Sequence, residues 1–289
     1  MGIFRKLFQR DDAPPPDRAT TAPLRPEFVA EPLPGEGRPH VQVGAAHALG
    51  RPPHQNRTNA HLVVQGGYDG NDMLPDCSIL SLGDCPGESG SEQAAASAAR
   101  SAVRSLTSAI YLQLLELEPI GDLPSLHAVM KNAFEDAGWA VKTDAEGKRA
   151  ALTVLLLLGR HLIAGHIGNS RAYLWQRSKL KRLTEDHPVT NGEDTPSGSV
   201  YAGEQVSRVN LLGTDADLQV DITSHEVRTG DAVLLCSSGL WKALNDDVIA
   251  GAFQRFEDPH HCAEALIRAA QDAGGERELT ALVAVIPSL

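Results

Sequence analysis

The chain lacks any CxxC pair, and its four cysteines, Cys77, Cys85, Cys236 and Cys262, show no zinc-site spacing. A reducing, cytoplasmic compartment is the simplest account of thiols left so far apart. Long hydrophobic runs are lacking too. The longest, "ALTVLLLLG" from Ala151, falls far short of the ~20 residues that span a bilayer and fits a buried strand instead. "MGIFRKLF" is too short and too charged for the apolar core of a signal peptide, and Lys6 argues against myristoylation. "GHIGNSR" contains glycines but not the spacing of a phosphate-cradling loop. Positive charge is in deficit: 26 Lys and Arg stand against 37 Asp and Glu, a net −11, so no nucleic-acid partner is expected.

What is present divides the chain into three parts. Residues 1–10 carry Ile3, Phe4, Leu7 and Phe8 on one helical face with Arg5, Lys6 and Arg10 around it, suited to a partner or an anionic membrane. Residues 11–40 are rich in proline and charge, lack periodicity, and read as a disordered linker. From residue 41 to 289 a folded domain is expected. Its order is strands, two long helices ("SGSEQAAASAARSAVRSLTSAIYLQLLEL", with Ser91 as cap, and "PSLHAVMKNAFEDAGWAVK"), strands, two helices and a closing strand. "HEVRTGDAVLLCSSG" reads as a hairpin turning at Thr229–Asp231. Such an order predicts an α+β fold with helices packed on antiparallel sheets. "RSKLKR", residues 177–182, offers a basic strand end to an acidic partner or to solvent. His161, His166, His260 and His261 lack partner acids at ligand spacing, so structural or surface roles are expected for them.

Several segments, taken in order, resemble the bacterial metal-dependent serine/threonine phosphatases of the protein phosphatase 2C type. "AALTVLLLLGRHLIAGHIGNSRAYLWQRSKLKRLTEDH" is similar to that family's central strands, "HEVRTGDAVLLCSSGLW" to its G-D-x-L-L-L-C-S-D-G-L segment, and "AGGERELTALVAVI" to its last strand. "GRPPHQNRTNAHLV" and "LGDCPGESGSE" are weaker matches. The resemblance implies a central antiparallel β-sandwich flanked by helix pairs, an α-β-β-α arrangement. It also implies two manganese or magnesium ions held by carboxylates, activating a water against a phosphoserine or phosphothreonine.

Carried over residue by residue, the acidic positions are mostly altered. The first metal aspartate falls on Thr58 or Asn59, the second on Asp84, a supporting aspartate on Asn169, the next on Ser238, and a final Asp-Asn pair on Arg277 and Glu278. Arg277 either pairs outward with its glutamate neighbours or points inward. Facing inward at about 5 Å, it would repel a divalent ion by about 6–7 kcal/mol at an effective dielectric of about 20. The expectation from these positions is a pseudophosphatase: no enzyme, no catalytic residue, no metal and no cofactor. It would bind a protein partner, a serine/threonine kinase or a phosphoprotein. The alternative is a divergent active phosphatase with manganese or magnesium, recruiting acids such as Asp69, Asp72, Asp76 or Glu278. A third reading gives Arg51, Arg57 and Arg277 contact with a phosphate group or partner, because a guanidinium meets phosphate with two parallel hydrogen bonds.

Overall fold

The computed structural model describes residues 41–49, 59–66, 77–85, 92–116, 123–144, 148–187, 210–214 and 218–286. The expected N-terminal segment and linker, and the Ser91 cap, lie outside them. Strand β4, Ala151–Leu158, explains the layering best, because all eight of its residues are buried. Leu152, Val154, Leu156 and Leu158 join one apolar cluster, while Leu155 and Leu157 join another. A strand reads as a continuous hydrophobic run when both of its faces are covered, and period-two alternation sends successive side chains into different layers.

One layer is the antiparallel sheet β2-β3-β4-β5-β8, built from Ala60–Gly66, Cys77–Asp84, β4, His161–Ile167 and Asp221–Glu226. Its outer face carries α1, Glu92–Glu116, and α2, Leu123–Asp144, through Leu106, Ile110, Met130 and Phe134. The other sheet runs β1-β10-β9-β6-β7: Gln42–Ala48, Leu279–Val285, Ala232–Cys236, Arg171–Gln176 and Lys179–Arg182. Its outer face packs on α3, Ser238–Ala243, α4, Asp246–Arg255, and α5, Pro259–Asp272, through Leu240, Ile249, Phe253 and Leu266. Leu80, Leu82, Leu162, Val233, Leu235 and Leu282 fill the space between the sheets. The α+β sandwich expected from the sequence is therefore present, with a helix pair on one side and three helices on the other.

Local signals set the later helices. Asn245 caps α4 by accepting from Val248 N at 2.9 Å, and Asp258 caps α5 by accepting from His261 N at 2.8 Å, with Pro259 following it. His260 and His261 lie on the exposed first turn of α5, facing Glu264 and Asp258. The hairpin expected at 225–237 is not formed. β8 pairs with β5 in one sheet, whereas β9 pairs with β6 and β10 in the other. The chain crosses between the layers at Val227, which is buried in the core between the sheets. Glycine is required at the crossover, where Gly230 has φ +82°.

Candidate functional site at one end of the sandwich

Three chain segments far apart in sequence meet at one end of the sheets. Asp84 ends β3, and the hydroxyl of Ser238, the first residue of α3, donates to its Oδ2 at 3.3 Å. Ser237, just before α3, makes no side-chain cap. Its hydroxyl instead donates to the Glu278 carbonyl at 3.2 Å and accepts from Thr280 N at 3.0 Å, pinning the end of β9 to the start of β10. A Cβ on Gly239 would stand 2.3 Å from the Glu278 carbonyl oxygen, so only glycine lets α3 begin so close to β10. Asn59, immediately before β2, joins the same end: its N–H donates to Glu278 Oε2 at 3.0 Å and its amide to Thr280 Oγ1 at 3.1 Å.

Asn169 sits in the turn between β5 and β6. Its carbonyl accepts from Trp241 Nε1 at 2.8 Å, which ties that turn to α3. Among the described residues its buried side-chain Oδ1 has no hydrogen-bond partner. A buried acceptor left unmatched is uncommon and calls for a donor, such as a water, to satisfy it. Arg171 lies 3.5 Å above the Trp241 ring and holds Asp186 through two bonds of 2.9 and 2.7 Å.

Electrostatics at this end set the buried Asp84 carboxylate beside two cations. Burial pushes the Asp84 carboxyl above its ordinary range, against the opposing pull of Ser238, the Cys85 backbone, Arg277 and Lys242. Burial and the neighbouring Arg277 lower the Lys242 ammonium, while Asp84 and Asp186 hold it up. Arg277 itself is exposed, beside Gly239.

Of the positions singled out from the sequence, Asn59, Asp84, Asn169, Ser238, Arg277 and Glu278 are thus brought to one end, while Thr58, Arg51 and Arg57 lie outside the described residues. Three members were missed: Lys242, Trp241 and Arg171. Lys242 was within reach of sequence reasoning, since it follows Ser238 by four residues and one helical turn places both on one face. The indole N–H and ring of Trp241 connect the Asn169 turn to Arg171.

No family model matches the chain. Over 175 residues, 58% of this chain, it is 33% identical to the serine/threonine protein phosphatase PstP of Mycobacterium tuberculosis. It is 26% identical over 145 residues, 48% of this chain, to the serine/threonine phosphatase stp of Listeria welshimeri. The matches span 34% of the mycobacterial protein and 58% of the Listeria one. A crystal structure of the mycobacterial phosphatase superposes with a TM-score of 0.61 at 27% identity, covering 86% of this chain and 99% of that one. The chain has the protein phosphatase 2C fold, and its sequence is similar to bacterial serine/threonine phosphatases of that family. A Streptococcus agalactiae serine/threonine phosphatase, at 18% identity and a TM-score of 0.64, shares the fold across 86% of this chain and all of its own.

These relatives correct two expectations. A chain that is not an enzyme is contradicted by relatives that are phosphatases by name, and the comparison points to an enzyme. The expectation of no cofactor is contradicted by the PstP catalytic domain, which holds two manganese ions at 26% identity and a TM-score of 0.61. The described residues alone do not fit such a pair. Among them no group of three or more His, Cys, Asp or Glu is placed to hold a metal ion. At this end they supply Asp84 and Glu278, while Ser238 and Asn169 are neutral and Arg277 and Lys242 are cationic. Asp69, Asp72 and Asp76 lie outside the described residues. Among the described residues, no helix is long and apolar enough to cross a membrane.

Proposed function

We propose that this chain works in serine/threonine phosphorylation signalling as a phosphatase-family enzyme acting on phosphorylated protein. Its phosphoryl-binding end would be the meeting point of Asp84, Ser238, Lys242 and Arg277. The observation that carries the reading is the Ser238–Asp84 hydrogen bond between residues 154 apart, made where the family resemblance places its chemistry. Arg277 and Lys242 would receive the phosphoryl oxygens, because charge-assisted bonds from cations to phosphate are the strong and oriented ones. Asn169 Oδ1 would accept from a water or amide of the bound segment. A metal pair would supply an activated water and neutralise phosphoryl charge, and its remaining ligands would have to come from outside the described residues. The partner would be a phosphoprotein, in a cytoplasmic setting, with residues 1–10 and the linker of residues 11–40 assisting its recruitment.

The test uses the full chain and a phosphothreonine peptide, with manganese supplied. We expect release of inorganic phosphate, lost in Asp84→Asn, and saturable peptide binding weakened tenfold or more by Arg277→Ala. A parent protein that neither binds the peptide nor releases phosphate would overturn the proposal.

A further inference from the structure

A second region, on the flank of the sandwich, has features that the phosphoryl site does not explain. Among the described residues, β7 and β8 are the edge strands of different sheets, and they border the same side of the gap between them. Lys181 Nζ on β7 and His225 Nδ1 on β8 meet at 3.4 Å across that gap. Hollows of about 340 and 520 Å³ lie along the seam, one lined by Lys181, His225, Arg177, Arg228 and Glu226, the other by Arg182, Thr223, Glu185 and Asp221.

The charge of this strip runs against that of the molecule. The chain carries a net −11, yet Arg177, Lys179, Lys181, Arg182 and Arg228 cluster here. Of the nearby carboxylates two face arginines, and the others keep their charge beside neutral partners, so that among the described residues the five cations outnumber those others. Asp231 accepts from Gln176 and from Arg228 N, and Asp186 is held by Arg171. Asp221 is bonded to His187, and Glu226 lies 3.9 Å from Arg160. Glu185 is a further exposed acid along the seam.

The turn that presents Arg177 is an independent signal. Arg177 and Ser178 join β6 to β7 with φ of +51° and +57°, a left-handed pair normally given to Asn-Gly. Two L-residues with full side chains hold a conformation that such residues rarely adopt. Retained strain of this kind clusters at ligand clamps.

We propose that the seam between β7 and β8 is a docking groove for an acidic, extended segment of a partner protein. Edge strands offer unpaired backbone groups that an extended peptide can match, while alternate side chains meet the cations of β7. A peptide suits the groove better than a nucleic acid, because a uniformly charged strand would run off these few cations onto an acidic surface.

The experiment measures fluorescence anisotropy of an eight-residue fluorescein-labelled peptide alternating glutamate and valine, titrated with the full chain. Saturable binding is expected. It should weaken tenfold or more in K179E/K181E, and severalfold in R177N/S178G, whose relaxed turn should raise the melting temperature. Arg277→Ala should leave it unchanged, which separates this groove from the phosphoryl site. If K179E/K181E melts early, R177N/S178G decides. Three results would each overturn the proposal: no saturable binding by the parent, equal binding by the charge variants, or equal competition by octathymidylate.

Discussion

Gly168, Asn169 and Ser170 are consecutive, yet they serve two polar clusters of opposite character. On one side the network is closed. His166 Nε2 lies 2.9 Å from the Gly168 carbonyl, which only accepts, so that nitrogen carries the proton. Nδ1 must then accept from Thr153 Oγ1 at 2.8 Å, and Thr153 in turn accepts from Ser170 Oγ at 2.9 Å. Each of these side chains is buried and matched, with the imidazole neutral. On the other side the buried Asn169 Oδ1 has no hydrogen-bond partner among the described residues, and Asp84 keeps its carboxyl buried beside cations. The closed cluster stabilises the fold; the open one holds an unmatched acceptor and a buried charge, both of which cost stability.

Breaking the closed cluster should have the largest effect. His166→Ala removes a fully enclosed ring and strips Thr153 and the Gly168 carbonyl of a partner, a loss of about 3–4 kcal/mol in chemical denaturation. The wild-type protein should show the next largest effect without any mutation. Burial, aided by His187, lowers the His166 pKa from 6.5 to about 4. Between those values the unfolded chain binds the proton and the folded one refuses it, so stability falls as pH is lowered through that window. The loss should reach up to about 3 kcal/mol near its lower end. Denaturant titrations at pH 7 and pH 4.5 measure it, and an equal midpoint at both would break the distinction between the clusters.

Strands were legible where burial is two-sided: "ALTVLLLL" could hardly be anything else in a layered α+β chain. The family-like segments also located positions that the fold brings to one end, because each segment ends or opens a strand or helix there. What the sequence hid was whatever depends on which layer a segment joins. A crossover and a hairpin both need a turn such as Thr229–Asp231, and only the burial of Val227 between the sheets distinguishes them. The Asn169 turn was equally opaque. Nothing local reveals that Ser170 turns towards Thr153 while the neighbouring side-chain oxygen stays unmatched. Arg171, Trp241 and Asp186 form a stack only after β6 and α3 are brought together, so their spacing carried no signal.

The smallest effect has the opposite sign, and it is the sharpest test of the contrast. In Asp84 burial outweighs the stabilising bonds and charges, so the carboxyl is held above its ordinary range. A group of this kind favours the folded state below its unfolded pKa of 3.8, and that contribution is lost as pH rises through the higher folded value. At neutral pH the buried charge therefore opposes folding. Asp84→Asn keeps the side-chain oxygen that accepts from Ser238 while removing the charge, so it should stabilise the chain in chelator by about 1 kcal/mol. The same substitution is the one expected to abolish phosphate release. A gain in stability paired with a loss of function is the signature of a group kept for chemistry. A melting temperature that falls instead would place Asp84 with Thr153 and His166, as part of the scaffold.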